Sequence, residues 1–121
     1  MSKLVVILCV LVFAVSFGIG CSKSTNFGKE IAITNVTKIR DILSHLDRYG
    51  DKMVRVEGKI TSECPSGGWF NLKDDTAEIY INLHPQGFAI PQRVGSKAVV
   101  EGMLKDEKYR IEIVGEGVQI Q

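Results

Sequence analysis

Four side chains on one predicted hairpin, Trp69, Asn71, Tyr80 and Asn82, together with the thiol of Cys64, are where this 121-residue chain has chemistry to offer. Aromatic rings give bases or sugars a stacking surface, worth about 1–3 kcal/mol per base in single-strand binders. Asparagines beside them supply neutral donors and acceptors. If the N-terminal helix or the proline-containing loop covered Trp69, the ring would be ordinary packing instead. Cys64 is open to three readings, a small buried apolar group, a thiol with a transient partner or a reactive thiol, and the last needs its geometry to be shown. His84 could approach it across the loops, but no motif places a nucleophile or carboxylate there. Asp74 and Asp75 are adjacent in a turn, so their side chains diverge, and turn chemistry explains them better than paired acid–base catalysis. His45 has no second ligand in reach by sequence and reads as a surface residue. The chain is therefore expected to be no enzyme and to hold neither cofactor nor metal.

These residues must be positioned by strands. Val54, Val56, Gly58 and Ile60 alternate with Arg55, Glu57, Lys59 and Thr61, the period of a half-buried strand. Gly58 suggests a bend where the sheet curls tightly. Strands over Trp69–Lys73 and Glu78–Leu83 flank a four-residue loop. Closing a core requires Phe70 and Leu72 on the same side as Ile79, Ile81 and Leu83. That sets Leu72 opposite Ile79 and Phe70 opposite Ile81. On the other surface Lys73 faces Glu78, Asn71 faces Tyr80 and Trp69 faces Asn82. Residues 84–97 contain Pro85, Gly87, Pro91 and Gly95 and read as an ordered excursion anchored by Phe88, Ala89 and Ile90, capping one barrel end. Strands four and five follow over Ala98–Leu104 and Tyr109–Ile113. Ahead of them all, Ile39, Ile42, Leu43 and Leu46 have the one-face spacing of a short amphipathic helix over about 37–48.

The start of the chain gives an address. Lys3 precedes an uncharged stretch from Leu4 to Gly20 that ends in small residues before Cys21, the pattern of a cleaved export signal and too short for a membrane span. Taking residues 1–20 from the 121 leaves 101, enough for one domain with one modest core. Lys3 leaves with the signal, so 14 basic residues face 14 acidic ones. From Val54 to Gln121, eight Lys or Arg face ten Asp or Glu, so any attraction to phosphate must be local. Arg55, Lys59, Arg93 and Lys97 look scattered, and Lys73 is expected to engage Glu78. A nucleic-acid groove would carry a basic stripe interleaved with aromatics.

Three resemblances go further. The leader resembles a prokaryotic lipoprotein signal, with cleavage after Gly20 and Cys21 as the lipid-modified N-terminus. It implies a leader over 1–20, a disordered tether over 21–30 and a folded domain over 31–121. With Cys9 removed and Cys21 acylated, Cys64 has no partner for an intrachain disulfide. The phrases Val54-Arg55-Val56-Glu57-Gly58-Lys59-Ile60, Leu72-Lys73-Asp74-Asp75 and Val99-Val100-Glu101-Gly102 resemble OB-fold domains of the tRNA-anticodon-binding type. They imply an all-β, five-stranded Greek-key barrel with a short N-terminal helix. Cys64-Pro65-Ser66-Gly67-Gly68-Trp69 and Gly87-Phe88-Ala89-Ile90-Pro91 resemble a group of small exported OB-fold proteins, many of them lipid-anchored. Gly68 stands where that group has a second cysteine, so the pair that would imply a redox or metal role is incomplete here.

The expectation is a monomeric, membrane-tethered binding module facing the periplasm or exterior, its ligand or partner protein held by Trp69, Asn71, Tyr80 and Asn82. Single-stranded nucleic acid is one alternative, disfavoured by charge; thiol- or metal-dependent action through Cys64 is the other.

Overall fold

A computed structural model describes residues 24–121. The leader over 1–20 and the lipidation of Cys21 lie outside the described residues. The elements in chain order are β1 (Thr25–Gly28), α1 (Ile39–Ser44), α2 (Leu46–Tyr49), β2 (Met53–Glu63), β3 (Trp69–Lys73), β4 (Glu78–Asn82), a 3-10 turn (His84–Gln86), β5 (Lys97–Glu107) and β6 (Arg110–Ile120).

Five of the strands close on themselves. The order β6-β4-β3-β2-β5 is completed by pairing of β5 with β6, and every contact is antiparallel except β4 with β6. This is an all-β OB-like barrel. Val54, Val56, Ile60, Phe70, Leu72, Ile79, Ile81, Val100, Leu104 and Ile113 fill its interior, and Ile39 and Ile42 of α1 are buried in the same cluster. Alternation explains the arrangement, because each of these residues has the inward parity of its strand.

Curvature comes where it was expected. A side-chain carbon on Gly58 would lie 2.4 Å from the Lys73 carbonyl oxygen, so only glycine lets β2 and β3 approach this closely. Just beyond it the β2–β3 register shifts between Ile60 and Ser62. The β3–β4 register is the one argued above, from Trp69 opposite Asn82 to Lys73 opposite Glu78.

Several expectations need correcting. Residues 25–28, placed in a disordered tether, form β1, paired antiparallel with β6 from Thr25–Ile120 to Gly28–Gly117. The helix expected over 37–48 breaks at His45, whose backbone leaves helical geometry at φ −137°, ψ 54°. Asp41 ties the two pieces, accepting from the Tyr49 hydroxyl at 2.8 Å and lying 3.1 Å from His45 Nδ1. The last two strands run to Glu107 and Ile120, longer than the sequence predicts, because glycines at 115 and 117 do not interrupt β6. In the excursion, Ile90 is buried and Phe88 is half-buried, whereas Ala89 is exposed.

The segment between β1 and α1 crosses the outside of the barrel. Its Ala32 and Ile33 N–H groups donate to Glu101 Oε1 at 3.0 and 2.7 Å. The Ile33 carbonyl accepts from Arg55 Nη1 at 2.9 Å, and Thr37 N–H donates to the Arg55 carbonyl at 2.8 Å. Arg55 and Glu101 are register partners on β2 and β5, and under this strap Glu101 is only 6% exposed. The strap leads into α1, whose first turn is capped from a distance: Asp74 Oδ2, in the β3–β4 turn, accepts from Ile39 N–H at 2.9 Å.

Candidate ligand-binding face

Trp69, Asn71, Tyr80 and Asn82 occupy the outward parity of β3 and β4, and all four are half-buried. Trp69 and Tyr80 sit diagonally across the hairpin, close enough for ring contact. Their centroids are 5.4 Å apart and their planes 25° from parallel, an offset stack.

A third layer comes from β6. The Arg110 guanidinium lies 4.1 Å from the Tyr80 ring centroid, giving the order Trp69, Tyr80, Arg110. Beside it Glu112 is the register partner of Tyr80 and is 8% exposed. Its Oε1 accepts from Asn82 Nδ2 at 3.5 Å; its Oε2 lies 3.6 Å from Arg110 Nε and has no hydrogen-bond partner among the described residues. Burial, first, raises the Tyr80 phenol above its ordinary pKa; Arg110 opposes this while Glu112 and Cys64 add to it.

Sequence reading missed Arg110 and Glu112. Their outward parity was visible from alternation with Ile111 and Ile113, but the parallel pairing of β6 with β4 joins residues about thirty apart and left no local trace.

The two asparagines serve the protein's own frame. Asn71 Nδ2 donates to Ser62 Oγ at 2.7 Å, and Asn82 Oδ1 accepts from His84 N–H at 3.1 Å. What they leave for a ligand is the edge of the amide, whereas the rings retain solvent-facing surface.

Cys64 stands at the rim of this face, its N–H donating to the Trp69 carbonyl at 3.0 Å. It is half-buried, and its sulfur shares a hydrogen bond with Ser66 Oγ at 3.0 Å. The Ser66 hydroxyl and N–H, together with the N–H groups of Gly68 and Gly67, hold the thiol below its ordinary pKa against the opposing effect of burial. The His84 imidazole lies on Gly68: a side-chain carbon there would be 2.3 Å from His84 Cε1. Position 68 therefore has no room for a second cysteine unless His84 moves. The Asp74 carboxylate is engaged with the Ile39, Thr76 and Ala77 N–H groups and the Thr76 hydroxyl, and Asp75 with Lys38 at 2.8 Å. Glu78 accepts from the Thr61 hydroxyl and forms no ion pair with Lys73 among the described residues, contrary to the expected cross-strand pair.

No family model matches the chain, and no curated protein matches it. Among solved structures it is similar to that of the hypothetical protein ygiW from E. coli, with 18% identity, a TM-score of 0.55 and coverage of 73% of this chain and 91% of that one. At this identity the likeness establishes shared architecture, and it agrees with the OB-like barrel traced from the strand pairings.

Proposed function

We propose that this chain is a non-enzymatic, lipid-anchored OB-fold module of the cell envelope that binds an extended ligand on the outer face of β3 and β4. The observation that carries the reading is the Trp69–Tyr80 stack: two rings directed away from the core and left partly open. OB-folds commonly hold extended ligands on these strands, beside the loops that join strands one to two and four to five. Here those loops are Cys64–Gly68 and the β5–β6 tip, where Tyr109 is 89% exposed. The anchor rests on the leader-like pattern that ends at Gly20 and Cys21. Few cations line the face, and Arg110 is already stacked on Tyr80, so a neutral or sparingly charged ligand fits better than a nucleic acid.

The test isolates the intact lipoprotein from its own membrane and compares co-purifying material with that of a Trp69→Ala/Tyr80→Ala variant. A species present in the first and absent from the second supports the reading. Identical material in both overturns it. A parallel titration with a single-stranded oligothymidylate at low salt tests the nucleic-acid alternative; saturable, ring-dependent and salt-sensitive binding would replace the neutral ligand with that one.

A further inference from the structure

Lys59 is where β2 changes partners, standing in register with Lys73 on β3 and with Lys97 on β5. Three lysines that look scattered in the sequence thus form one row across three strands, all exposed. Like charges placed directly opposite on neighbouring strands repel, with Cβ atoms about 5 Å apart. Glu78 stands opposite Lys73 in register, but among the described residues none of the three lysines has an ion-pair partner. The neighbouring carboxylates are engaged elsewhere, Glu57 with Arg55 at 2.8 Å, Asp75 with Lys38, Asp74 with backbone N–H groups and Glu78 with Thr61. The row borders a cleft of about 400 Å³, apart from the aromatic face, whose walls carry Lys38, Lys59, Lys73 and Lys97 against the three carboxylates Glu57, Asp74 and Asp75.

We propose that this cleft binds a phosphate group, carried by a lipid headgroup or by a soluble phosphate compound, through Lys59, Lys73 and Lys97. A compact anion between the three ammonium groups turns mutual repulsion into attraction. Lysine binds phosphate as a flexible point charge, without the two-point geometry that the planar fork of arginine brings to phosphates and carboxylates alike. The cleft has the size of a small-molecule site. The slight excess of acids from residue 54 onward confines the attraction to this spot. The proposal does not depend on the ligand of the aromatic face.

Amine acetylation of the full chain, read residue by residue by mass spectrometry, tests it. One arm adds inorganic pyrophosphate to protein in neutral detergent; the other compares vesicles of phosphatidylglycerol with vesicles of phosphatidylcholine, both at matched ionic strength. At a probe concentration about ten times its dissociation constant, acetylation of Lys59, Lys73 and Lys97 is expected to slow about tenfold, with Lys52 and Lys108 unchanged. In a Lys59→Gln variant, and independently in Lys97→Gln, the protection of the remaining row residues is expected to be lost. Protection by pyrophosphate alone identifies a soluble phosphate, and protection by phosphatidylglycerol alone a headgroup; either supports the site. Unchanged rates in both arms, or protection that survives both substitutions, overturns it.

Discussion

Arg55 and Glu101 point away from the barrel core by the same alternation that turns Trp69 and Tyr80 outward, yet the two pairs end in different surroundings. On β2 and β5 the charged pair lies under the strap of residues 29–37, and Glu101 is engaged by two backbone N–H groups. On β3 and β4 the rings are half-buried, and the ring contacts among the described residues are with each other and with Arg110. Glu101 is covered while the two rings stay half-buried, the reverse of what hydrophobic burial alone would choose. Covering a carboxylate is tolerable only because the strap brings its unpaired N–H groups to it, so each satisfies the other. The rings offer a polar backbone only an indole N–H and a phenol hydroxyl, far less than a carboxylate does.

That contrast can be broken first at its covered half. Glu101→Ala strips the Ala32 and Ile33 N–H groups of their acceptor and is expected to cost about 2–3 kcal/mol in urea unfolding while leaving ligand capture by the aromatic face intact. A loss below about 0.5 kcal/mol would mean that the two N–H bonds to Glu101 contribute nothing to the fold. Trp69→Ala should behave oppositely: a stability loss of about 1 kcal/mol, since the ring is half-buried, with capture abolished. If it unfolds the protein, the indole belongs to the core and the contrast fails.

The next test sharpens the covered half through its cap. Burial pushes the Asp74 carboxyl up, but the Ile39 N–H, the Thr76 hydroxyl and the Ala77 and Thr76 N–H groups together hold it below its ordinary value. Its contribution is therefore fully present above the unfolded value of about 3.9 and is lost as pH falls through the lower folded value. Asp74→Asn is expected to cost at most about 1 kcal/mol at neutral pH and to flatten the wild-type stability decline below about pH 4. An unaltered acid slope would assign that decline to other carboxylates. At the rim of the open half, Cys64→Ser should change stability by no more than about 0.5 kcal/mol. Alkylation of the wild-type thiol should have its pH midpoint below that of an ordinary cysteine, moving upward in Ser66→Ala. A midpoint at the ordinary value would remove the hydrogen-bonded thiolate.

Much of the barrel was legible because local rules dictate it. The β3–β4 register follows from keeping Phe70, Leu72, Ile79 and Ile81 on one side of a short turn, and Gly58 announced the bend it allows. Trp69 and Tyr80 were placed together by that register alone. What could not be read depends on strands far apart in the chain. The Lys73–Lys59–Lys97 row exists only because β2 exchanges one neighbour for another at Lys59, and Arg110 reaches Tyr80 only through a parallel pairing. The strap was invisible for another reason. Its contacts use backbone N–H groups, which every residue carries, and Thr25–Gly28 joins β6 by main-chain bonds with no alternating apolar pattern to signal a strand.

Thr25–Gly28 has a mechanical consequence. It pairs in the sheet with β6 alone, outside the closed ring of five, so the ring keeps its own ladders if those four residues let go. A load applied at residue 24 would meet these four residues, about 14 Å of extended strand, and then the Lys29–Glu116 contacts before it reached the Glu101 clamp. The segment is placed as a fuse would be, in line ahead of the barrel and outside its closure.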